Sequence, residues 1–376
     1  MLTEKKIRHL SMIASEYVNK KKIVEIKEIT SGNINDTYII VMPNYQYILQ
    51  RINTNVFKSP FGMMNNIKNI TEYIKTKVIY EGENPQRSLL NIVKTKYGEI
   101  MCIKYGEYWR MMEYISGSKS YEIIPNKDLF SEVGKAVGRF QNLLKGFPPH
   151  LLDETIKHFH DTPYRYKVFL KSLKNRNKRI EYCDDEIEFL IDHKDLYSHI
   201  TNKLKTKEIP ERVTHNDTKP SNILFDENTE KALCLIDLDT VMKGSILYDY
   251  GDALRIGASL VKEDEEKLEL VNIDLDYIES FTYTFLKELK GTITKTEVHN
   301  LYYGYLIMTL ELSMRFLTDY FNYDKYFKIN YEDHNLIRAR NQIEVVKKIE
   351  LNKDKIINRI NKCLTSLEYK QEYLII

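Results

Sequence analysis

The stretch from His215 to Asp237 constrains this chain more than any other part of its sequence. It begins with an octapeptide, HNDTKPSN, continues through the apolar run Ile223-Leu224-Phe225, and returns after a polar turn through an apolar run over 232–236. Two short apolar runs joined by a polar turn predict a β-hairpin. Such a hairpin brings Asp237, at its far end, back to the octapeptide at its start.

The polar residues of this stretch suit phosphoryl transfer from a nucleotide. That reaction needs a group that orients the attacking hydroxyl and accepts its proton, and oxygen ligands that hold Mg²⁺ against the phosphates. Asp217, the third residue of the octapeptide, is the predicted base, and Lys219 adds a cation for the transferred phosphoryl group. Asn222 and Asp237 are the predicted Mg²⁺ ligands, because this ion prefers oxygen donors. His215 is predicted to stabilise the loop instead of accepting the proton.

The pattern of the chain changes near residue 115. Alternating or β-rich runs predict strands over 24–29, 37–41, 45–52, 89–95, 99–104 and 108–114. Apolar residues at helical spacing predict helices over 61–77, from Leu129 onward and over 187–200, with at least three more helices after the hairpin. The sequence therefore predicts an α+β fold with a β-rich N-terminal lobe over 1–115 and a mostly helical C-terminal lobe over 116–376.

Charge and composition favour a small-molecule partner. The chain has 56 basic and 54 acidic residues, a formal charge of +2, and no basic stripe, so we expect no nucleic-acid binding. No apolar segment approaches the ~20 residues that cross a bilayer. The N-terminal residues carry charges where a signal peptide would be apolar, and the four cysteines are widely spaced. We expect a cytoplasmic protein with reduced thiols and no membrane contact.

The octapeptide resembles the HxDxxxxN catalytic loop of protein-kinase-like enzymes, and Ile236-Asp237 resembles their metal-binding aspartate. Protein kinases themselves are less similar, because the loop SGNIND has one glycine where theirs has three. Aminoglycoside phosphotransferases and choline kinases are more similar, and within that superfamily the N-acetylhexosamine 1-kinases resemble nearly the whole chain. The matching segments are 32–38, 47–53, 159–162, 214–222, 236–240 and 315–320.

The resemblance implies a bilobal protein-kinase-like fold that uses ATP and Mg²⁺ and phosphorylates the anomeric hydroxyl of a small neutral sugar, GlcNAc or GalNAc. It implies that Asp217, Arg315 and Tyr326 contact the sugar. An arginine and a phenol suit that contact, because both hydrogen-bond hydroxyl or acetamide oxygens. The nucleotide phosphates are implied to be covered by the loop residues Ser31, Gly32, Asn33 and Asn35.

The sequence departs from the kinase pattern at the third strand. Most kinases have a nucleotide-binding lysine there, whereas the basic candidate in this chain is Arg51, beside Gln50. Glu72 is a candidate carboxylate partner for it. The missing lysine keeps open a pseudokinase that binds nucleotide without turnover.

Other assignments also have alternatives. Arg315 can support its own helix through a salt bridge, and Tyr326 can be a core residue. The acceptor can be an aminoglycoside or an amino alcohol such as choline, although Arg315 would repel those cations. Asp249 and Asp252 are expected to support the catalytic loop or cap a helix, with direct chemistry as the alternative. His160 and Asp161 are expected to make loop or cap hydrogen bonds, with a sugar-side role as the alternative.

Overall fold

The computed structural model describes residues 2–29, 34–174 and 177–376. Its N-terminal strands are β1 (Glu25–Ile29), β2 (Asp36–Val41), β3 (Gln46–Arg51), β4 (Ile92–Val93), β5 (Cys102–Lys104) and β6 (Glu107–Glu113). Within the described residues they form one antiparallel sheet in the order β1-β2-β3-β6-β4, with β5 also paired to β6. The strand predicted over 89–95 is reduced to β4, because Leu89 and Leu90 are buried outside the strand pairing.

The rest of the chain is mainly helical, as predicted. The helices are α1 (Glu4–Ala14), α2 (Pro60–Tyr80), α3 (Pro85–Ser88), α4 (Lys127–Leu143), α5 (Thr162–Ser172), α6 (Asp184–Asp192), α7 (His199–Lys205), α8 (Ile246–Gly257), α9 (Leu275–Glu288), α10 (Lys295–His299), α11 (Leu301–Phe321), α12 (His334–Leu351) and α13 (Lys353–Ser366). The single helix predicted over 187–200 is two helices, α6 and α7. The ring of His193 ends α6, since its Nδ1 lies 2.7 Å from the Phe189 carbonyl oxygen.

The two faces of the N-terminal sheet have different neighbours. One face packs on α1, where Leu10 and Ile13 join a buried cluster with Leu49 and Trp109. The opposite face belongs to the larger core shared with α2 and the helical part, to which Met112 contributes. Because successive strand residues point to opposite faces, this division also fixes where the polar residues of β3 and β6 point.

Helices α8 and α11 cross at a very short distance. Gly251 on α8 lies against Gly304 on α11, and a Cβ at Gly251 would be only 2.2 Å from the Gly304 carbonyl oxygen. Glycine is therefore required there for the two backbones to approach. The contact holds α11 beside the catalytic loop.

The remaining strands form two small sheets under the N-terminal one. They are β7 (Ser118–Lys119), β8 (Arg212–Thr214), β9 (Ile223–Asp226), β10 (Ala232–Leu235) and β11 (Met242–Gly244). Strands β9 and β10 are the predicted antiparallel hairpin, and β8 pairs with β11. No helix in the described ranges is both long enough and apolar enough to span a membrane.

Candidate active site

The octapeptide forms a loop between β8 and β9 that converges on Asp217. Its carboxylate Oδ2 accepts hydrogen bonds from Lys219 Nζ at 3.0 Å and from Asn222 Nδ2 at 2.7 Å. Both contacts use Oδ2, so Oδ1 is the oxygen that can accept from a substrate hydroxyl. Burial acts to raise the pKa of Asp217, but Lys219, His215 and Asn222 together outweigh it and hold that pKa below its ordinary value. Asp217 is thus an anion at neutral pH.

The hairpin returns Asp237 to this loop. The Ile236 amide donates to the Asn222 carbonyl oxygen at 2.8 Å, and Asp237 follows in a left-handed conformation with φ 61°. Its carboxylate faces the solvent of a cavity at the end of the hairpin. The surrounding protein partly excludes water from this carboxylate, and this desolvation, with the charges of Asp239 and Asp217, raises the pKa of Asp237 to about 6.

This group of carboxylates fits a divalent cation. A cation would relieve the repulsion that raises the pKa of Asp237. Asn222 would contribute its Oδ1, because its Nδ2 donates to Asp217. Mg²⁺ typically takes one or two such protein ligands and completes its shell with substrate phosphates and water. Among the described residues, no three or more His, Cys, Asp or Glu side chains form a ready-made metal cage.

Asp249 on α8 supports the loop from below. Its carboxylate accepts from the backbone amides of His215 at 3.0 Å and Asn216 at 2.8 Å, and Gln141 Nε2 donates to it at 2.7 Å. His215 Nε2 lies 2.9 Å from the Ile236 carbonyl oxygen, so His215 ties the loop to the hairpin. These contacts place Asp249 and His215 in structural positions. Asp252 instead pairs with Arg255 one turn along α8.

A buried histidine–glutamate pair supports the loop from the other side. His160 Nδ1 lies 2.8 Å from Glu311 Oε1, and His160 Nε2 lies 3.1 Å from the Asn216 carbonyl oxygen. The His160 ring therefore connects Glu311 on α11 to the backbone of the octapeptide loop. Burial acts to raise the pKa of Glu311, but the charges of His160 and Arg315 hold it below its ordinary value. Asp161 caps the start of α5.

A cavity of about 650 Å³ lies between the sheet and the hairpin. Part of its wall is apolar, formed by residues of both regions, and part is polar and ends at Lys219, Asn222 and Asp237. The apolar residues include Ile29, Ile48, Leu90, Met112, Leu224 and Ile236. The cavity thus joins an apolar compartment to the charged end of the hairpin.

The structure describes only one of the four loop residues predicted to cover the phosphates. Ser31, Gly32 and Asn33 lie outside the described residues. Asn35 lies at the interface between the sheet and the hairpin, where its Nδ2 donates to Asp239 Oδ2 at 2.7 Å and its Oδ1 accepts from the Asn53 amide at 3.0 Å.

The prediction that Arg51 binds phosphate does not agree with this geometry. Arg51 Nη1 contacts Glu107 and its Nη2 contacts Asp36, each at 2.5 Å, on the exposed side of the sheet. Gln50, the preceding residue, lines the cavity instead. The predicted partner Glu72 is exposed on α2. A basic residue was expected at the right strand, but the alternation of side chains sends Arg51 away from the cavity.

Arg315 and Tyr326, the two residues implied by the resemblance to contact the sugar, lie close together. The Arg315 guanidinium lies 5.6 Å from the Tyr326 ring centre and 4.9 Å from that of Phe159. It also lies 3.7 Å from Glu311, so the salt bridge considered as an alternative is present. Neither Arg315 nor Tyr326 lines the large cavity. They flank the loop on the side of His160.

Sequence reasoning missed three buried charged residues that organise the site: Arg110, Asp239 and Glu311. Arg110 on β6 forms an ion pair with Asp239, which follows Asp237 by two residues. Both Arg110 and Glu311 interrupt apolar runs, in YWRMM and in the core of α11. A charge within an otherwise buried strand or helix face is the signal that could have identified them, because burial requires a partner.

The catalytic loop, the returning aspartate and the cavity under a β-rich lobe together define a phosphotransferase of the protein-kinase-like type. A sequence profile described as the phosphotransferase enzyme family (APH) matches residues 25–289, well over half of the chain. The chain belongs to this family.

Solved structures with the same fold include several small-molecule kinases. A microcompartment-associated aminopropanol kinase is 14% identical with a TM-score of 0.64, and the match covers 93% of this chain and 98% of that one. The choline kinase of Cryptosporidium parvum is 14% identical with a TM-score of 0.59, covering 93% and 97%. An aminoglycoside phosphotransferase of Alicyclobacillus acidocaldarius is 13% identical with a TM-score of 0.57, covering 98% and 97%. These matches establish the bilobal α+β fold.

Proposed function

We propose that this chain is an ATP-dependent kinase that phosphorylates the anomeric hydroxyl of an N-acetylhexosamine, GlcNAc or GalNAc, and releases the sugar 1-phosphate. Membership of the phosphotransferase family supports the reaction class, and the acceptor is the part that we add. In this proposal residues 1–115 form the nucleotide-binding lobe and residues 116–376 the catalytic and sugar-binding lobe.

The charge around Arg315 is the observation that carries the choice of acceptor. Arg165 lies close by and donates to the Phe159 carbonyl oxygen at 3.1 Å, while Arg315 stacks on the Phe159 ring. Burial and the positive charge of Arg315 lower the pKa of Arg165 to about 10. Two guanidinium groups repel the ammonium group of choline or an aminoglycoside, whereas they donate well to hydroxyl and acetamide oxygens.

The site residues then have defined roles. Asp217 Oδ1 orients the anomeric hydroxyl and takes its proton as the sugar oxygen attacks the γ-phosphorus. The bond from that phosphorus to the bridging oxygen breaks, and ADP leaves. Lys219 stabilises negative charge on the transferred group. Asn222 and Asp237 would hold Mg²⁺, which supplies charge neutralisation at the phosphates.

A coupled assay of ADP release tests the acceptor. GlcNAc, GalNAc, glucose, choline and kanamycin are offered with MgATP, and ³¹P NMR identifies the product. We expect turnover on an acetamido sugar with an anomeric phosphate as product, and none with Asp217→Asn. Turnover only on choline or kanamycin overturns the sugar assignment and favours the amino-alcohol or aminoglycoside type. Nucleotide binding without turnover on any acceptor favours a pseudokinase.

Arg315→Lys tests the sugar contact. The variant keeps the positive charge and loses the planar fork, so we expect the KM for the sugar to rise roughly tenfold with the KM for ATP unchanged. Arg179→Lys is the matched control, because Arg179 also stacks on a tyrosine, Tyr320, and pairs with a carboxylate, Asp324. Equal changes in the two variants would mean that Arg315 only supports its helix.

A further inference from the structure

The cavity face of the sheet lacks the lysine that protein kinases place on their third strand. Position 50 is the β3 residue that faces the cavity beside the hairpin, and it is a glutamine. A neutral amide cannot replace a cation at nucleotide phosphates. Within the described residues, the sheet must therefore supply this charge from another strand if it supplies it at all.

Arg110 is the cation on that face. It is directly opposite Gln50 in the register of β3 and β6, so the two side chains share one side of the sheet. Arg110 is only 1% exposed, and it lines the same cavity as Lys219 and Asp237. The positive charge thus lies on β6 instead of β3, directly opposite the position where protein kinases have their lysine.

The guanidinium of Arg110 is held at a fixed orientation. Its Nε donates to Gln50 Oε1 at 2.9 Å, and its Nη1 donates to Asp239 and lies 3.8 Å from Met64 Sδ. Gln50 is itself fixed, because its Nε2 donates to Thr37 Oγ1 at 3.0 Å. Within the described residues, Nη2 has no protein acceptor, which leaves it for a ligand in the cavity.

The carboxylate that pairs with this cation also lies on a different element from the one in protein kinases. Protein kinases pair the strand lysine with a glutamate of the helix that follows. Here the corresponding helix α2 presents Met64 to Arg110, and the partner is Asp239, two residues after Asp237 on the hairpin. Asp239 also accepts from Asn35, which precedes β2. One carboxylate therefore connects the sheet, the turn before β2 and the cation-binding end of the hairpin.

We propose that Arg110 binds the phosphate oxygens of the nucleotide through Nη2, and that Asp239 and Gln50 orient it for this contact. Arginine suits the task, because its planar fork can donate to a carboxylate from one side and to a phosphate from the other. The proposal rests on the nucleotide-dependent reaction of the proposed function and not on the identity of the acceptor.

Calorimetric titration of the full-length protein with ADP and with adenosine, each with Mg²⁺, tests this role without any acceptor. Arg110→Gln should weaken ADP binding roughly 10- to 100-fold, since one charge-assisted contact is lost, and change adenosine binding less than about twofold. Arg51→Gln is the matched control on the opposite face and should leave both affinities unchanged. Equal weakening for ADP and adenosine, or an unchanged ADP affinity, overturns the proposal.

Two further variants keep the test decisive if Arg110→Gln does not fold. The double variant Arg110→Gln with Asp239→Asn removes both members of the buried pair and leaves no unpaired charge, so the same loss for ADP alone is expected. Gln50→Lys in the Arg110→Gln background puts the cation back on β3 and should recover part of the ADP affinity. If the folded double variant recovers no ADP affinity, the result counts against a phosphate-binding role for Arg110 in place of the β3 lysine. Failure of the sugar assay leaves these titrations unaffected, so the two proposals fail separately.

Discussion

The octapeptide loop and the N-terminal sheet differ in how far apart their interacting polar residues lie in the sequence. In the loop, Asp217, Lys219 and Asn222 lie within six residues, and direct hydrogen bonds join them. In the sheet, Gln50 and Arg110 form a hydrogen bond between two strands, although they lie 60 positions apart in the sequence. A local motif fixes its own geometry, whereas a pairing across a sheet depends on which strands become neighbours.

The largest expected effect is at Asp217, the residue on which the octapeptide loop converges. Asp217→Asn removes the anion that we propose as the proton acceptor, so kcat should fall about 10²- to 10⁴-fold. Asparagine has the same shape, so the thermal midpoint and the affinity for ADP should stay close to those of the parent protein. The measurements are steady-state kinetics on the accepted sugar, calorimetry with ADP and a thermal melt. An unchanged kcat would remove Asp217 from the role of base.

A smaller effect tests whether the octapeptide loop depends on support from distant residues. His160→Ala leaves Glu311 as a buried carboxylate without its histidine partner, and the free energy of unfolding should fall by about 3 kcal/mol, as measured by urea denaturation. The loss should be smaller when Glu311→Gln is added, because the unpaired charge is then gone.

The smallest effect is expected at Arg51, on the face of the sheet opposite the cavity. Arg51→Gln removes two exposed salt bridges, which contribute at most about 1 kcal/mol together. The KM for ATP should stay within about twofold of the parent value, because Arg51 points away from the cavity. A large rise in that KM would mean that Arg51 contributes to nucleotide binding, and it would count against the phosphate-binding role proposed for Arg110.

The same contrast explains what the sequence predicts well. The strand-turn-strand pattern from 223 to 236 and the octapeptide before it predict the hairpin and the convergence of Asp217, Asn222 and Asp237, because short turns determine the path between them. The order of strands and helices follows from hydrophobic periodicity, and it agrees with the structure.

What the sequence predicts poorly depends on long-range pairing. Arg51 and Gln50 are adjacent, and only the burial of Leu49 against α1 decides which of them faces the cavity. The pairing of Arg110 with Asp239, and that of His160 with Glu311, each connect residues more than a hundred positions apart. No local pattern specifies such partners.

The left-handed backbone at Asn216 and Asp237 has a consequence for engineering. Both residues have φ values above 60°, and such a conformation costs a non-glycine residue about 1 kcal/mol or more. Asp237→Gly would relieve this strain and also reduce the repulsion among three carboxylates, while removing a proposed cation ligand. A selection for heat resistance alone would therefore enrich inactive variants at this position, so any such selection must be coupled to a test of turnover.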